Sequence, residues 1–298
     1  MRVSRLLATV VVMLLSTGCS APSTPAPAPT APSTPTDLVE LPPTSGVFDY
    51  QLGGASEYVS EQGPSPTVVV RDNTAEPLPG AYNICYVNGF QTQPTDATAW
   101  LQRQDLLLQD AYGKPITDPE WPDEYILDPS AQHQRAGILA VTEPLLADCA
   151  KKGYDAVEID NLDTFERFGG IDASGAMALA ADYVRIAHKY SLAIGQKNAA
   201  ETSRRAHTLG FDFAVTEECG AYDECQAYTG IYGEHVLQIE YPESLKANHK
   251  TFEHICSAPE RAPLTILRDR PLAPTHARGR TYQQCSDGTD SSHGFIDP

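Results

Sequence analysis

The sequence is short of positive charge and of long apolar runs, and each shortage removes a class of function. Lysine and arginine number 21 against 39 aspartates and glutamates, a formal net charge of −18. That is the wrong sign for coating nucleic-acid phosphates, so no nucleic-acid partner is expected. The only long apolar run, Leu6 to Leu15, falls short of the ~20 residues that a bilayer-spanning helix needs. No His-Glu-x-x-His, facial triad or cysteine–histidine cluster occurs, so neither a metal nor another cofactor is expected. No internal repeat is visible. With 41% hydrophobic and 20% charged residues over 298 positions, the chain nevertheless has the composition of a globular protein rather than a disordered one.

The apolar run sits behind Arg2 and Arg5, as an export signal does. It ends in Leu15-Ser16-Thr17-Gly18-Cys19, which resembles a bacterial lipobox, where small residues precede a cysteine that is lipidated. Ser16 stands where that motif has an aliphatic residue, and plain signal-peptide cleavage is the alternative. The expected organisation is a signal peptide over 1–18, a tether over 19–44 and one domain over 45–298. From Ser20 to Thr36 the tether is wholly Ala, Pro, Ser and Thr, unable to bury a core and suited to an extended spacer. The expected protein is exported and held on the outer face of the cell membrane through lipid at Cys19. Without the first 18 residues, 19 basic side chains face 39 acidic ones, a charge of −20.

Besides Cys19 there are six cysteines, Cys85, Cys149, Cys219, Cys225, Cys256 and Cys285. An even number in an oxidising compartment favours disulfides. Cys219 and Cys225 are close enough to close one short loop, and chain order then suggests Cys85 with Cys149 and Cys256 with Cys285. A zinc site is the competing reading, but no histidine lies at ligand spacing from Cys219 and Cys225.

Eight short β-branched or aromatic runs recur: Val47–Leu52, Thr67–Arg71, Tyr82–Val87, Ala156–Asp160, Leu192–Gly195, Phe211–Thr216, His235–Glu240 and Leu264–Leu267. Helical patterns lie between several of them. The clearest is Asp172 to Tyr190, with Asp172 as N-cap and Ala176, Leu179, Ala180, Tyr183 and Ala187 at three-four spacing. Strands alternating with helices over about 250 residues predict an α/β fold, a single (β/α)8 TIM barrel behind the signal and the Pro-rich tether. The interval from Asn88 to Gly153 reads as an elaborated loop with more than one helix.

A barrel places its chemistry where strands end. Side chains alternate along a strand, so Glu158 and Asp160 face the same way, into the barrel, with Ile159 against the outer helices. Glu217 shares a face with Phe211, Phe213 and Val215. Two carboxylates at one cleft are what acetal cleavage requires, one protonating the leaving oxygen while the other attacks the sugar carbon or activates water. Asp160 and Glu217 are therefore the candidate catalytic pair. Tyr50, Asp72, Tyr86, Asn161, Asp163, Lys197, Asn198, Glu240 and Tyr241, at or beside the predicted strand ends, are candidate substrate-binding groups. Lys197 could pair with Asp160 or bond sugar hydroxyls, the aromatic rings and Trp121 could lie against pyranose faces, and Asn161, Asn198 and Asp163 could instead cap helices.

The motifs Ile84-Cys85-Tyr86-Val87-Asn88-Gly89-Phe90, Glu158-Ile159-Asp160-Asn161-Leu162-Asp163, Gln196-Lys197-Asn198, Phe211 to Cys219, Asp223-Glu224-Cys225 and Ile239-Glu240-Tyr241 resemble, in order and spacing, glycoside hydrolase family 114, the endo-α-1,4-polygalactosaminidases. The resemblance spans about Phe48 to Asp269. Phe48-Asp49-Tyr50-Gln51-Leu52 matches the family's opening Trp-Gln-Trp-Gln-Leu by type only. What the resemblance implies is a (β/α)8 barrel that hydrolyses α-1,4-linked galactosamine polymers, with Asp160 as nucleophile and Glu217 as acid/base. A deacetylated galactosamine polymer is a polycation, which a chain of this acidity would attract. The expected partner is therefore a galactosamine-containing polysaccharide, cut internally by a monomeric, retaining enzyme. The alternatives are a tethered sugar-binding lipoprotein without catalysis and a barrel glycosidase acting on neutral α-galactosides.

Overall fold

The computed structural model describes residues 39–286; the expected signal peptide, Cys19 and the tether as far as residue 38 lie outside them. Eight parallel strands follow one another around a barrel: β1 Phe48–Gln51, β2 Val68–Asp72, β3 Tyr82–Asn88, β4 Ala156–Asp160, β5 Ala193–Lys197, β6 Phe213–Glu217, β7 Val236–Glu240 and β8 Leu264–Arg268. A ninth strand, β9 Tyr282–Gln284, pairs antiparallel with β8. The helices are α1 Ala97–Trp100, α2 Gln132–Lys152, α3 Thr164–Arg167, α4 Ala173–Lys189, α5 Ser203–Leu209, α6 Cys225–Tyr232, α7 Pro242–Ala247 and α8 Phe252–Ser257. None of these is long and apolar enough to cross a membrane.

Alternation along the strands sorts the apolar residues into two clusters. Phe48, Tyr50, Val68, Val70, Ile84, Ala156, Phe213, Val215, Ile239 and Ile266 fill the barrel interior, while Val87, Val157, Ile159, Ile194 and Ala214 pack outward against α2 and α4. On α4 the predicted face is buried: Ala176, Leu179, Ala180, Tyr183 and Ala187 have no exposed surface. Asp172 caps that helix by accepting the Gly175 N–H at 2.8 Å. Each large apolar side chain so buried contributes roughly 1.5–3 kcal/mol. Gly195 on β5 leaves interior space that the Phe213 ring occupies, since a Cβ there would lie 2.5 Å from a ring carbon.

Two features depart from eight equal strand–helix units. The connections over 52–67 and 73–81 contain no helix; both are punctuated by proline and glycine, and the second is shorter than the 10–12 residues that a helical crossover needs. β1 and β8 are also not paired through their backbones. Side chains stitch that seam instead: the Phe48 N–H donates to Gln284 Oε1 at 3.1 Å, Tyr282 donates to the Phe48 carbonyl at 2.8 Å, and Arg268 pairs with Asp49. Arg268 and Asp49 are both fully buried, and Asp49 also pairs with the buried Arg280 at 3.2 Å, so removing Asp49 would strip two buried guanidinium groups of a carboxylate partner.

Three disulfides brace the barrel. Cys85–Cys149 ties β3 to α2, Cys219–Cys225 closes the loop after β6, and Cys256–Cys285 fastens α8 to the residue after β9.

Candidate active site

Lys197 is the centre of the polar cluster inside the barrel mouth. It ends β5, points inward and is only 3% exposed, with its Nζ 3.0 Å from Glu217 Oε2, 3.5 Å from Glu158 Oε1 and 3.8 Å from Asp160 Oδ2. The same Nζ donates to the Tyr50 hydroxyl at 3.0 Å, and that hydroxyl donates to Glu158 Oε1 at 2.8 Å. Burial alone would discharge this lysine, but Asp160, Glu217 and Glu158 together hold its ammonium well above the usual range.

Exposure separates the three acids around it. Glu158 has no exposed surface, whereas the side chains of Asp160 and Glu217 are 18% and 22% exposed. Only the latter two can reach a ligand in the cleft. Burial pushes Glu158 up to about 7 against the pull of Lys197, with the Asp160 charge adding to the rise. Burial acts most strongly on Glu217 too, but Lys197 and the Tyr241 hydrogen bond outweigh it and hold that carboxyl below its ordinary value.

Each exposed acid is aimed by neighbours. Tyr86 donates to Asp160 Oδ2 at 2.6 Å, and the Asn161 N–H donates to Oδ1 at 2.8 Å. Tyr241 donates to Glu217 Oε1, and the Glu217 N–H is fixed by Asn198 Oδ1 at 2.8 Å. Burial and the adjoining carboxylates push all three phenols, Tyr50, Tyr86 and Tyr241, well above the ordinary tyrosine value, so they remain donors. The residues that follow β4, β5 and β6, Asn161, Asn198 and Glu218, have φ of 64°, 49° and 66°. This left-handed turn sends the chain out of the barrel at once and leaves the preceding side chain at the rim; among residues with a side chain, asparagine tolerates it best.

The predicted binding residues divide by where they lie. Tyr50, Tyr86, Tyr241, Lys197, Asn161 and Asn198 all belong to the cluster, but the three tyrosines have 0%, 9% and 1% exposure and orient charges rather than offering open ring faces. Asp163 pairs with Arg167 at 3.0 Å, and Arg167 also bonds Asn161 Oδ1 at 2.7 Å. Asp72 is taken up by Thr74 and Gln93, whose donors lie 2.6–2.9 Å from its oxygens. Glu240 faces away from the cleft: Ile239 and Tyr241 point inward, so the residue between them points out. There it accepts the N–H groups of Gly220 and Ala221 at 2.7 and 3.1 Å and holds the Cys219–Cys225 loop against β7. The sulfurs beside it are joined to each other and are not free thiolate ligands.

Three further groups lie beside the cluster, and the sequence gives little sign of them. Arg270, after β8, lies 4.3 Å over the Tyr241 ring and pairs with Glu218 and Glu243. Asn88, the register partner of Asp160, accepts from Asn161 Nδ2 at 3.0 Å and donates to Glu124 Oε2 at 3.0 Å. Glu124 comes from the long segment between β3 and α2, where no periodicity marks it. Only Asn88 falls within a recognisable motif.

Among solved structures the fold is similar to that of Ega3 from Aspergillus fumigatus, crystallised in complex with galactosamine, at 18% identity over 82% of this chain and 98% of that one, with a TM-score of 0.61. It is also similar to the glycoside hydrolase domain of PelA from Pseudomonas aeruginosa, at 14% identity over 76% of this chain and 95% of that one, with a TM-score of 0.53. At these identities the likeness establishes the fold. No curated protein sequence matches the chain. The family model for glycoside-hydrolase family GH114 matches residues 28–290, and by that match over most of its length the chain belongs to this family of glycoside hydrolases.

Proposed function

We propose that this glycoside hydrolase cuts α-1,4-linked galactosamine polymers internally, with Asp160 and Glu217 as its two reacting carboxylates. The observation that carries the reading is the placement of both acids around one ammonium. Nζ of Lys197 is 3.0 Å from one and 3.8 Å from the other, which limits the two nearest oxygens to a separation below about 7 Å. That favours the ~5–5.5 Å of retaining enzymes over most of the ~6.5–9.5 Å inverting range.

Asp160, fixed by Tyr86 and its neighbouring amide, attacks the anomeric carbon as the glycosidic C–O bond breaks, and Glu217 gives its proton to the departing oxygen. Water then attacks the glycosyl–Asp160 ester; Glu217 takes the proton from that water and the Asp160 carboxylate is released. Lys197 keeps Glu217 ionised in the free protein, which suits the second step. The first step needs Glu217 protonated, so this assignment requires an acidic pH optimum.

The galactosamine complex of Ega3 and the charge of −18 on this chain support a cationic amino-sugar polymer over neutral galactosides. Three disulfides support an exported protein, anchored in this reading by lipid at Cys19. The test is mass spectrometry of products from a deacetylated α-1,4-galactosamine polymer and from a neutral α-galactoside. Mixed-length amino-sugar oligomers are expected early in the digest; cleavage of the neutral substrate alone would reverse the assignment.

A further inference from the structure

The guanidinium of Arg270 is a flat plate held by its edge. Its Nε donates to Glu243 Oε1 at 2.8 Å, and its Nη2 donates to Ser244 Oγ at 3.0 Å and to Glu218 Oε1. Ser244 in turn donates to the same Glu218 oxygen. Glu218 directly follows β6, Glu243 and Ser244 lie in α7 after β7, and Arg270 follows β8, so one side chain ties three neighbouring strand exits together.

The face of the plate lies on Tyr241, with Cζ 4.3 Å from the ring centroid. A cation in that position is attracted to the electron-rich face of the phenol. The Tyr241 ring is 1% exposed, and its hydroxyl donates to Glu217 Oε1. Glu218, with its φ of 66° directly after Glu217, is held by the same guanidinium. Arg270 therefore grips both the residue next to Glu217 along the chain and the ring that bonds the Glu217 side chain.

Neither stability nor substrate attraction accounts for this placement. The Arg270 side chain is 43% exposed, and ion pairs so open to water contribute little to folding. A guanidinium near the rim of a cleft that takes a polycation repels its substrate. Resting on the proposed role of Glu217 as acid/base, we infer that Arg270 is a positioning residue for that acid. By clamping Tyr241 it fixes the phenol hydroxyl against Glu217, and so aims the carboxyl that hands its proton to the departing oxygen.

The test uses Arg270→Met, Arg270→Lys, Tyr241→Phe and the double variant Arg270→Met/Tyr241→Phe. On a deacetylated α-1,4-galactosamine polymer, Arg270→Met should lose about tenfold or more in kcat, as a misaimed acid does, with KM within about twofold. On an aryl galactosaminide with a good leaving group the first step needs no proton, and the loss in its rate should shrink to about twofold. The double variant should match Tyr241→Phe alone within about twofold, because both changes break one coupling. Arg270→Lys keeps the charge without the planar grip and should stay at least about fivefold below wild type. Melting temperatures of the Arg270 variants should stay within about 3 °C of wild type.

Losses that multiply in the double variant, an equal first-step loss on both substrates, or a raised KM with kcat unchanged would overturn this role while leaving the proposed activity standing. So would full activity in Arg270→Lys, or a larger drop in melting temperature. Failure of the wild type to cut the polymer would overturn both.

Discussion

Nζ of Lys197 lies 3.0 Å from Oε2 of Glu217, closer than to either aspartate or glutamate of β4. That inequality gives the two exposed acids different electrostatic settings although they share one cleft. Glu217 is coupled directly to a buried ammonium; Asp160 is held mainly by a phenol and a backbone amide.

Replacing Lys197 by Met removes the charge that holds Glu217 low, so the apparent pKa of Glu217 should move upward. Activity should fall about a hundredfold or more, the usual cost of losing a preorganised electrostatic group. In the kcat/KM pH profile, the alkaline limb should move to higher pH if Glu217 is the group that must be protonated for the first step. Movement of the acidic limb would exchange the roles of Asp160 and Glu217, and an unshifted profile would separate Lys197 from both.

Glu158 offers a test through stability. Its carboxyl is raised from an ordinary 4.5 to about 7 in the folded protein. Between those values the native state holds a proton that the unfolded state has lost, so the Glu158 contribution to stability declines as pH rises and is lost through about 7. Glu158→Gln has no such proton. The melting temperature of the wild type relative to this variant should therefore fall from pH 4.5 to pH 7.5. A constant difference would show that the acid titrates normally.

The disulfides should divide between stability and activity. Cys85–Cys149 spans 64 residues and Cys219–Cys225 only 6, so chain entropy assigns the first about 4 kcal/mol and the second about 2 kcal/mol. The short loop, however, directly follows Glu217 and packs on Glu240. Paired Cys→Ser variants at 219 and 225 should lose more turnover than those at 85 and 149, while denaturant melts should rank them in the opposite order. The same order in both assays would remove the positioning role.

The barrel was legible because period-two alternation survives in nearly every strand, and the inward direction of Glu158 and Asp160 follows from it. That same alternation, applied to β7, turns Glu240 away from the cleft, since Ile239 and Tyr241 occupy the inward positions. The seam was not legible: Arg268 and Asp49 meet from opposite ends of the barrel sequence, and no local pattern encodes such a pair. Nor does local sequence reveal that Tyr50 and Tyr241 bury their rings and use their hydroxyls. Glu124 meets Asn88, the register partner of Asp160, from 36 residues away in sequence, and no local pattern marks that contact.

The account rests most directly on the two exposed acids. Asp160→Asn and Glu217→Gln, assayed on a deacetylated galactosamine polymer and on an aryl galactosaminide with a good leaving group, test them. Each should lose at least a thousandfold on the polymer while remaining folded. Glu217→Gln should recover much of its first-step rate on the aryl substrate, which needs no proton, whereas Asp160→Asn should recover none. Near wild-type turnover of the polymer by either variant would contradict the assignment and return the search to Glu158, Asp163 and Glu218.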